Sequence, residues 1–169
     1  MGGKNVDTKT ANDPSIKFEL RRVGSAANPI FFVGVAPGRQ RKKEQTRKAW
    51  EGNKSSDLMN DATKHCKNAV YTNISNEYIP TRKISIDDDA IIAGSKKLAS
   101  LILHYKPHKI LLFSTFTARA FKKHVQSNAQ LSTHIENTAI IELQHPSYVL
   151  RFNKDKTAWI KEVQHAITK

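Results

Sequence analysis

Four short, largely apolar runs, with room for helices between them, constrain the fold of this chain more than any other feature. The runs are Ile30–Val35, Ala69–Ile74, Lys109–Phe113 and Thr138–Leu143. Such runs are typical of strands that are buried on both faces of a parallel sheet. Because helix patterns lie between them, the chain alternates strands and helices. This order predicts a three-layer α/β/α domain with a mainly parallel central sheet.

The segments around these strands set the expected boundaries. Residues 1–14 are polar and end in Asp13-Pro14, so we expect a flexible arm followed by one domain over residues 15–169. Ile16–Val23 alternates apolar and charged residues, which predicts an edge strand. We expect helices from Ser55 or Ser56 to about Cys66, after Ser85, over Thr115–His124 and over 154–168.

The aspartate triplet Asp87-Asp88-Asp89 falls in the expected first turn of the helix after Ser85. Acidic side chains are favoured there by the helix dipole, which we prefer to a metal site as the explanation for the triplet.

The charge balance indicates the class of partner. Lys and Arg number 28 against 15 acidic residues, a formal net charge of +13, which favours a polyanion, and nucleic acid before a membrane. Cys66 is the only cysteine, so one chain can form neither a disulfide nor a cysteine-ligated cluster. No apolar run approaches the roughly 20 residues of a membrane span, and no signal peptide is recognisable. We therefore expect an intracellular protein, in the cytoplasm or nucleoid, or in the nucleus of a eukaryote.

Two short motifs directly follow the first and last strands. Gly34-Val35-Ala36-Pro37-Gly38 comes directly after Ile30-Phe31-Phe32-Val33 of the first apolar run, and His145-Pro146-Ser147 follows the last run. The carboxyl ends of parallel strands meet at the edge where open α/β sheets bind their ligands. A turn that lets a ligand approach the backbone would there face a histidine that can donate a hydrogen bond.

Two more segments lie between these motifs, Trp50–Leu58 and Tyr71–Ile74. The four segments, in this order, resemble the uracil-DNA glycosylase superfamily over about residues 30–151. Trp50–Leu58 looks most like the fifth, thermophile-type branch, and His145–Arg151 looks more like the fourth, iron–sulfur branch. The cluster of that fourth branch cannot form here, since the chain has one cysteine.

The resemblance implies a DNA glycosylase that extrudes a pyrimidine nucleotide and hydrolyses its N-glycosidic bond. The Gly34–Gly38 loop would form the floor of the base pocket, and Trp50 would cover the flipped ring. Asn73 would read the base edge, because its amide offers both a donor and an acceptor. His145 would donate a hydrogen bond to the base oxygen as negative charge develops on the leaving pyrimidine.

DNA contacts are expected on both sides of that pocket. Residues 39–48 carry six basic side chains and one acid, which predicts a phosphate clamp that includes Arg39, Arg41, Lys42 and Lys43. The resemblance adds further contacts: phosphates held by Lys54, Ser147 and Arg151, and an apolar wedge of Val149 and Leu150.

The chain departs from the family at three positions. Ala36 stands where the best-known branch has a water-activating aspartate, and Val35 stands where the fourth branch has a glutamate. The carboxylates nearest in sequence are Glu44, Glu51 and Asp57, and the sequence does not choose between them as the water-activating group. Asn53 could also position water. Gly38 replaces a tyrosine that blocks the C5 methyl group of thymine, which predicts a pocket that tolerates a substituent at C5.

Three functions can be compared on this basis. The first is a monofunctional, monomeric DNA glycosylase without cofactor or metal. It would act on single- or double-stranded DNA in base-excision repair or in defence against modified viral DNA. The second is a catalytically inactive, glycosylase-like DNA-binding protein, an alternative that Val35 and Ala36 keep open. A nucleotide-binding or phosphotransfer enzyme is disfavoured, because neither phosphate-binding glycine motif is present.

Overall fold

A five-stranded sheet forms the centre of the fold. The computed structural model describes residues 20–36, 49–50, 52–75 and 85–169. Within these residues the strands are Leu20–Val23 (β1), Ile30–Gly34 (β2), Ala69–Asn73 (β3), Lys109–Phe113 (β4) and Ala139–Leu143 (β5). The helices are Lys54–Thr63 (α1), Asp89–Tyr105 (α2), Thr115–Phe121 (α3), Ala129–Ser132 (α4), Pro146–Arg151 (α5) and Lys156–Thr168 (α6). The expected N-terminal arm and residues 15–19 lie outside the described residues.

The sheet has the strand order β1-β3-β2-β4-β5. Only β1 is antiparallel to its neighbour, pairing Leu20 with Thr72 of β3. The other four strands are parallel, so their carboxyl ends meet at one edge of the sheet. The prediction of a mainly parallel sheet with an edge strand near the N-terminus is therefore confirmed for the described residues.

Helices cover both faces of the sheet because the buried strands are apolar on both faces. Phe32 and Phe113 lie on the face that packs against α1, α5 and α6. Phe31 and Val33 lie on the opposite face, against α2, α3 and α4. Each fully buried phenylalanine contributes about 1.5–3 kcal/mol of transfer free energy to folding. The three-layer α/β/α prediction is thus confirmed.

Two helix starts differ from the sequence prediction. The cap of α1 is Asn53, whose side-chain oxygen accepts a hydrogen bond from the Ser56 backbone nitrogen at 2.8 Å, so α1 begins before Ser55. Asp88 caps α2, and only Asp89 of the triplet lies inside that helix. The carboxylate of Asp87 instead contacts the Lys123 ammonium at 2.8 Å. Asp87 therefore pairs with Lys123, 36 residues away, although its local sequence predicted a place in the first turn of the helix.

Other boundaries shift by a few residues. The helix expected over Thr115–His124 ends at Phe121 and continues as a π-helix, Lys122–Gln126. Helices α4 and α5 have no counterpart among the helices predicted from the sequence. None of the helices within the described residues is long and apolar enough to cross a membrane.

A buried lysine ties the sheet to the last helix. The Lys109 side chain, at the start of β4, donates hydrogen bonds to the carbonyls of Ala166, Ile167 and Lys169 at 2.7, 2.9 and 3.0 Å. These carbonyls belong to the end of α6, where the helix dipole is negative and a cation is favoured.

Candidate active site

The ends of β2 and β3 bring two predicted site segments side by side. Gly34 pairs with Asn73 in the parallel register. The pairing continues past both strands, since Ile74 N donates to Gly34 O and Ser75 N donates to Val35 O, each at 2.8 Å. The Gly34–Val35 backbone is therefore fixed next to Asn73 at the carboxyl edge of the sheet, as the sequence predicted.

Gly34 is needed for its size. A Cβ atom at this position would lie 2.6 Å from Asn73 Oδ1 and 2.7 Å from Trp50 Cζ2, closer than real Cβ contacts. The side chains of Asn73 and Trp50 therefore both pack directly onto the glycine. Asn73 is only 6% exposed, and its amide makes no hydrogen bond with the described part of the chain. The amide is therefore available to a polar ligand.

Trp50 is held in the site by its side chain and its backbone. Its indole is 7% exposed, donates from Nε1 to Thr72 O at 3.1 Å and meets the Phe113 ring edge-on. The Trp50 carbonyl accepts hydrogen bonds from Arg21 of β1 at 3.5 Å and from Asn60 of α1 at 3.2 Å. The residue has φ of +62°, a left-handed conformation that costs about 1–3 kcal/mol when it is not glycine. These contacts offset that strain.

His145 is fixed as a neutral hydrogen-bond donor. It is the N-cap of α5, and its Nδ1 accepts from the Ser147 backbone nitrogen at 3.0 Å. Because Nδ1 accepts that hydrogen bond, the neutral ring carries its hydrogen on Nε2. Burial lowers the pKa of His145 from 6.5 to about 4, so the ring is uncharged near neutral pH. Nε2 makes no hydrogen bond with the described residues and can donate to a ligand.

The Trp50 and His145 rings are stacked on each other. Their centroids are 5.2 Å apart and their planes differ by 27°. Three predicted site residues are thus connected through Trp50, which packs with Asn73 onto Gly34 and stacks on His145. The sequence predicted Asn73 and His145 at strand ends and Trp50 in a loop, and the structure brings all three into a common site.

A cavity of about 440 Å³ borders this cluster on the β4–β5 side. It is lined by His145 and by side chains that the sequence analysis did not select: Ser114, Thr115, Glu142, Leu143, Gln144, Tyr148 and Glu162. The Glu142 carboxylate accepts a hydrogen bond from Thr115 Oγ1 at 3.1 Å. The signal for Glu142 was its place at the end of a strand, three residues before His145.

The wedge prediction is wrong for Val149. Its side chain is fully buried in the core cluster between the sheet, α1 and α6. Leu150 packs against the same cluster and is only partly buried, so that its role as a wedge stays a prediction. Valine on the inner face of an amphipathic α5 is needed for packing, which the motif alone did not reveal.

The remaining predicted site residues fall into three groups. Lys54 and Arg151 are exposed, whereas Ser147 is partly buried with its hydroxyl 2.7 Å from His145 Nδ1. Val35 and Ala36 are partly buried beside the site. Other predicted residues lie outside the described residues: Pro37, Gly38, Arg39, Arg41, Lys42, Lys43, Glu44 and Glu51.

Of the groups considered for water activation, two can be placed. Asn53 uses its side-chain oxygen to cap α1, and Asp57 lies exposed in the first turn of that helix. Within the described residues no group of three or more His, Cys, Asp or Glu side chains is arranged to hold a metal ion.

Comparison with known proteins defines the family. The model of the uracil DNA glycosylase superfamily matches residues 22–167. The chain therefore belongs to this superfamily, whose members are generally DNA glycosylases, and the resemblance seen in the sequence is confirmed at that level. The comparison with curated proteins gives no match.

Proposed function

We propose that this protein is a monofunctional DNA glycosylase that flips a uracil or a C5-modified pyrimidine out of DNA and hydrolyses its N-glycosidic bond. The observation that carries the proposal is His145, a partly buried neutral ring whose Nε2–H has no acceptor among the described residues. Trp50 connects it to Asn73, since the indole stacks on His145 and packs with the Asn73 side chain onto Gly34. A pyrimidine presents carbonyl oxygens and an N3–H group along its edge, which such a pair of side chains can bind.

The chemistry requires stabilisation of the departing base. As the bond between C1′ and N1 breaks, its electron pair moves onto the pyrimidine, and the sugar becomes oxocarbenium-like. A neutral donor aimed at the base oxygen stabilises the developing anion without first losing a proton. Water adds its hydroxide to C1′, and its remaining proton ends on the released base. No lysine of the described segments lines the cavity beside His145 to form a Schiff base, so strand cleavage is not part of this proposal.

Binding to DNA is supported by charge. The net charge of +13 and the exposed Lys54 and Arg151 favour phosphate contacts. The basic segment 39–48 directly follows the pocket loop in sequence. We infer that it clamps the phosphate backbone and adds affinity without reading sequence.

A catalytically inactive DNA-binding protein is the second candidate. It is favoured by Val35 and Ala36, which place no carboxylate at the two positions where the family branches carry one. The carboxylates of Glu142 and Glu162 in the adjoining cavity are available for water binding and keep the catalytic proposal in favour.

A base-release assay separates the two candidates. Oligonucleotides with uracil, hydroxymethyluracil or thymine opposite guanine would be incubated with the protein and heated in alkali to reveal abasic sites. His145→Ala should abolish release, whereas His65→Ala, at an exposed histidine that follows α1, should not. Salt-sensitive binding without abasic sites on any substrate would support the inactive candidate. Cleavage confined to unsubstituted uracil would contradict tolerance at C5.

A salt titration tests the clamp. Replacing Arg41, Lys42 and Lys43 with Ala should make the logarithmic dependence of DNA affinity on salt shallower by about one for each phosphate that is no longer neutralised. The matched control changes Lys96, Lys97 and Lys122 to Ala in the layer that contains α2 and α3. Equal slopes for the two triple variants would argue against the clamp.

A further inference from the structure

Two aromatic side chains are exposed beside the candidate site. Tyr148 is 41% exposed and Phe152 is 53% exposed, and they are the only large exposed hydrophobic residues in the described part of the chain. Their rings are in contact, with centroids 4.7 Å apart and planes tilted by 47°. They are four residues apart, which places them on one side of α5 and its C-terminal end.

This aromatic pair adjoins the catalytic candidates. Tyr148 follows His145 by three residues and lines the same cavity. The two rings are exposed, whereas the neighbouring Val149 is fully buried in the core. An exposed apolar surface at the mouth of a site is a common mark of binding.

One cationic side chain lies over the pair and two more are close in sequence, while Glu142 and Glu162 lie on the cavity side of Tyr148. Lys154 Nζ lies 5.9 Å from the centroid of the Tyr148 ring, and the exposed Arg151 lies between the two aromatic residues in sequence. Lys156 follows, exposed, at the start of α6. Asp155, the one acid in this segment, uses its carboxylate to cap that helix. On the side of Lys154, this surface favours a partner that offers flat apolar rings and negative charge together.

We propose that Tyr148 and Phe152 form a stacking platform for an unpaired base of single-stranded DNA next to the extruded nucleotide. Bases stack on aromatic side chains whatever their sequence, while the phosphates between them meet cations such as Arg151 and Lys154. One ring can occupy a gap one base thick, about 3.5 Å, but two rings tilted by 47° exceed that thickness. The platform therefore fits an open strand better than the interior of a duplex.

The platform rests on the proposed function for its ligand, DNA, and for its place beside the base pocket, but its test does not need base release. Single-stranded and duplex oligonucleotides of equal length, without an excisable base and carrying one 2-aminopurine, would be titrated with protein. Stacking of the probe on the platform quenches its fluorescence, and anisotropy gives the affinity. Tyr148→Ala and Phe152→Ala should each weaken single-strand binding about tenfold, within the range for one stacked base.

Matched variants distinguish stacking from simple apolar contact. Phe152→Leu should bind single strands as weakly as Phe152→Ala, because leucine offers no π-face, and Tyr148→Phe should bind like the wild type. Thr157→Ala, exposed on α6, is the surface control. Duplex affinity should change less than twofold in all of them. Full affinity in Phe152→Leu, or equal losses on single strands and duplexes, would overturn the platform.

Two further outcomes keep this proposal separate from the proposed function. Base release with no effect of either aromatic variant on single-strand binding would support the glycosylase and reject the platform. Ring-dependent single-strand binding without base release on any substrate would support the platform and reject the glycosylase. A change of sedimentation coefficient in Tyr148→Ala or Phe152→Ala would assign the pair to self-association instead, which also rejects the platform.

Discussion

The indole of Trp50 lies against the imidazole of His145, with 5.2 Å between ring centroids and 27° between ring planes. Two rings that hold a third ring between them are about 7 Å apart, twice a van der Waals spacing of about 3.5 Å. In this arrangement no flipped base fits between Trp50 and His145. A base that enters the cluster must therefore displace the indole or stack on its other face.

Trp50 should report base entry by fluorescence. The chain has two tryptophans, so Trp159→Phe leaves Trp50 as the only indole. Its 7% exposure predicts strong protection from acrylamide in the free protein. Binding of an oligonucleotide with an extrudable pyrimidine should change its emission and its quenching, because its stacking partner changes. The reciprocal variant, Trp50→Phe, should show a steady signal from Trp159, and an unchanged Trp50 signal would mean that the base does not reach this ring.

The stability of the protein should depend on pH through His145. Burial lowers the pKa of this ring to about 4 in the folded state against 6.5 in the unfolded state. Between these pH values the unfolded chain binds the extra proton, so the free energy of unfolding falls as the pH drops from about 6.5 to 4. The loss from this group amounts to about 3 kcal/mol. Urea unfolding at several pH values measures it.

His145→Asn is the control for that titration. Asparagine can still accept the hydrogen bond from Ser147 N at the start of α5 but does not titrate. The difference in unfolding free energy between wild type and variant should shrink as the pH falls toward 4. A constant difference across the range would mean that the ring is not buried as a neutral group.

Gly34→Ala should damage the site more than the fold. The added Cβ would meet Asn73 Oδ1 at 2.6 Å and Trp50 Cζ2 at 2.7 Å, so both side chains must move. Overpacking of this kind costs about 1–3 kcal/mol of stability. We expect base release to fall at least tenfold while the protein stays folded by circular dichroism. Activity equal to the wild type would show that the positions of Asn73 and Trp50 do not matter for the reaction.

Lys109→Met should destabilise the protein without touching the site. It removes three hydrogen bonds to the carbonyls at the end of α6, while the methylenes of the side chain stay buried. Hydrogen bonds from a charged donor contribute about 1.5–3 kcal/mol, and part of that is offset by desolvation of the ammonium. We expect a loss of about 2 kcal/mol in urea unfolding. Lys161→Met, at an exposed lysine of the same helix, is the control and should change stability far less. Equal losses in the two variants would contradict the capping role.

The strands were predictable because their signal is local. Each buried parallel strand is a short apolar run, and the structure places β2 to β5 within one residue of the predicted ends. The joint placement of Gly34, Asn73 and His145 followed from the rule that parallel strands end at one edge. The pairing of Trp50 with His145 did not follow from that rule. The backbone carbonyls of Ala49 and Trp50 are held by Arg21, which is distant in sequence, and that of Trp50 also by Asn60.

The errors have a common physical origin. Asp87 was predicted inside the helix but lies before α2, where Lys123 and His124 offer it partners across the fold. Val149 is buried while Tyr148 is exposed because the rotation of α5 decides which side chain faces the core, and a short motif carries no information on that rotation. Glu142 was overlooked because its relevance depends on a cavity, which exists only once β4, β5 and α6 are packed.

The edge strand β1 has a consequence that reaches the site. Arg21 lies across the Tyr71 ring, with its guanidinium carbon 3.9 Å from the centroid, and donates to the carbonyls of Ala49 and Trp50. Edge strands have one neighbour and open at lower free energy than central strands. Fraying of β1 therefore loosens the anchorage of the enclosed indole at the site without unfolding the central sheet. The amide hydrogens of Leu20–Val23 and of Trp50 should thus exchange with solvent through the same opening, and so with similar protection.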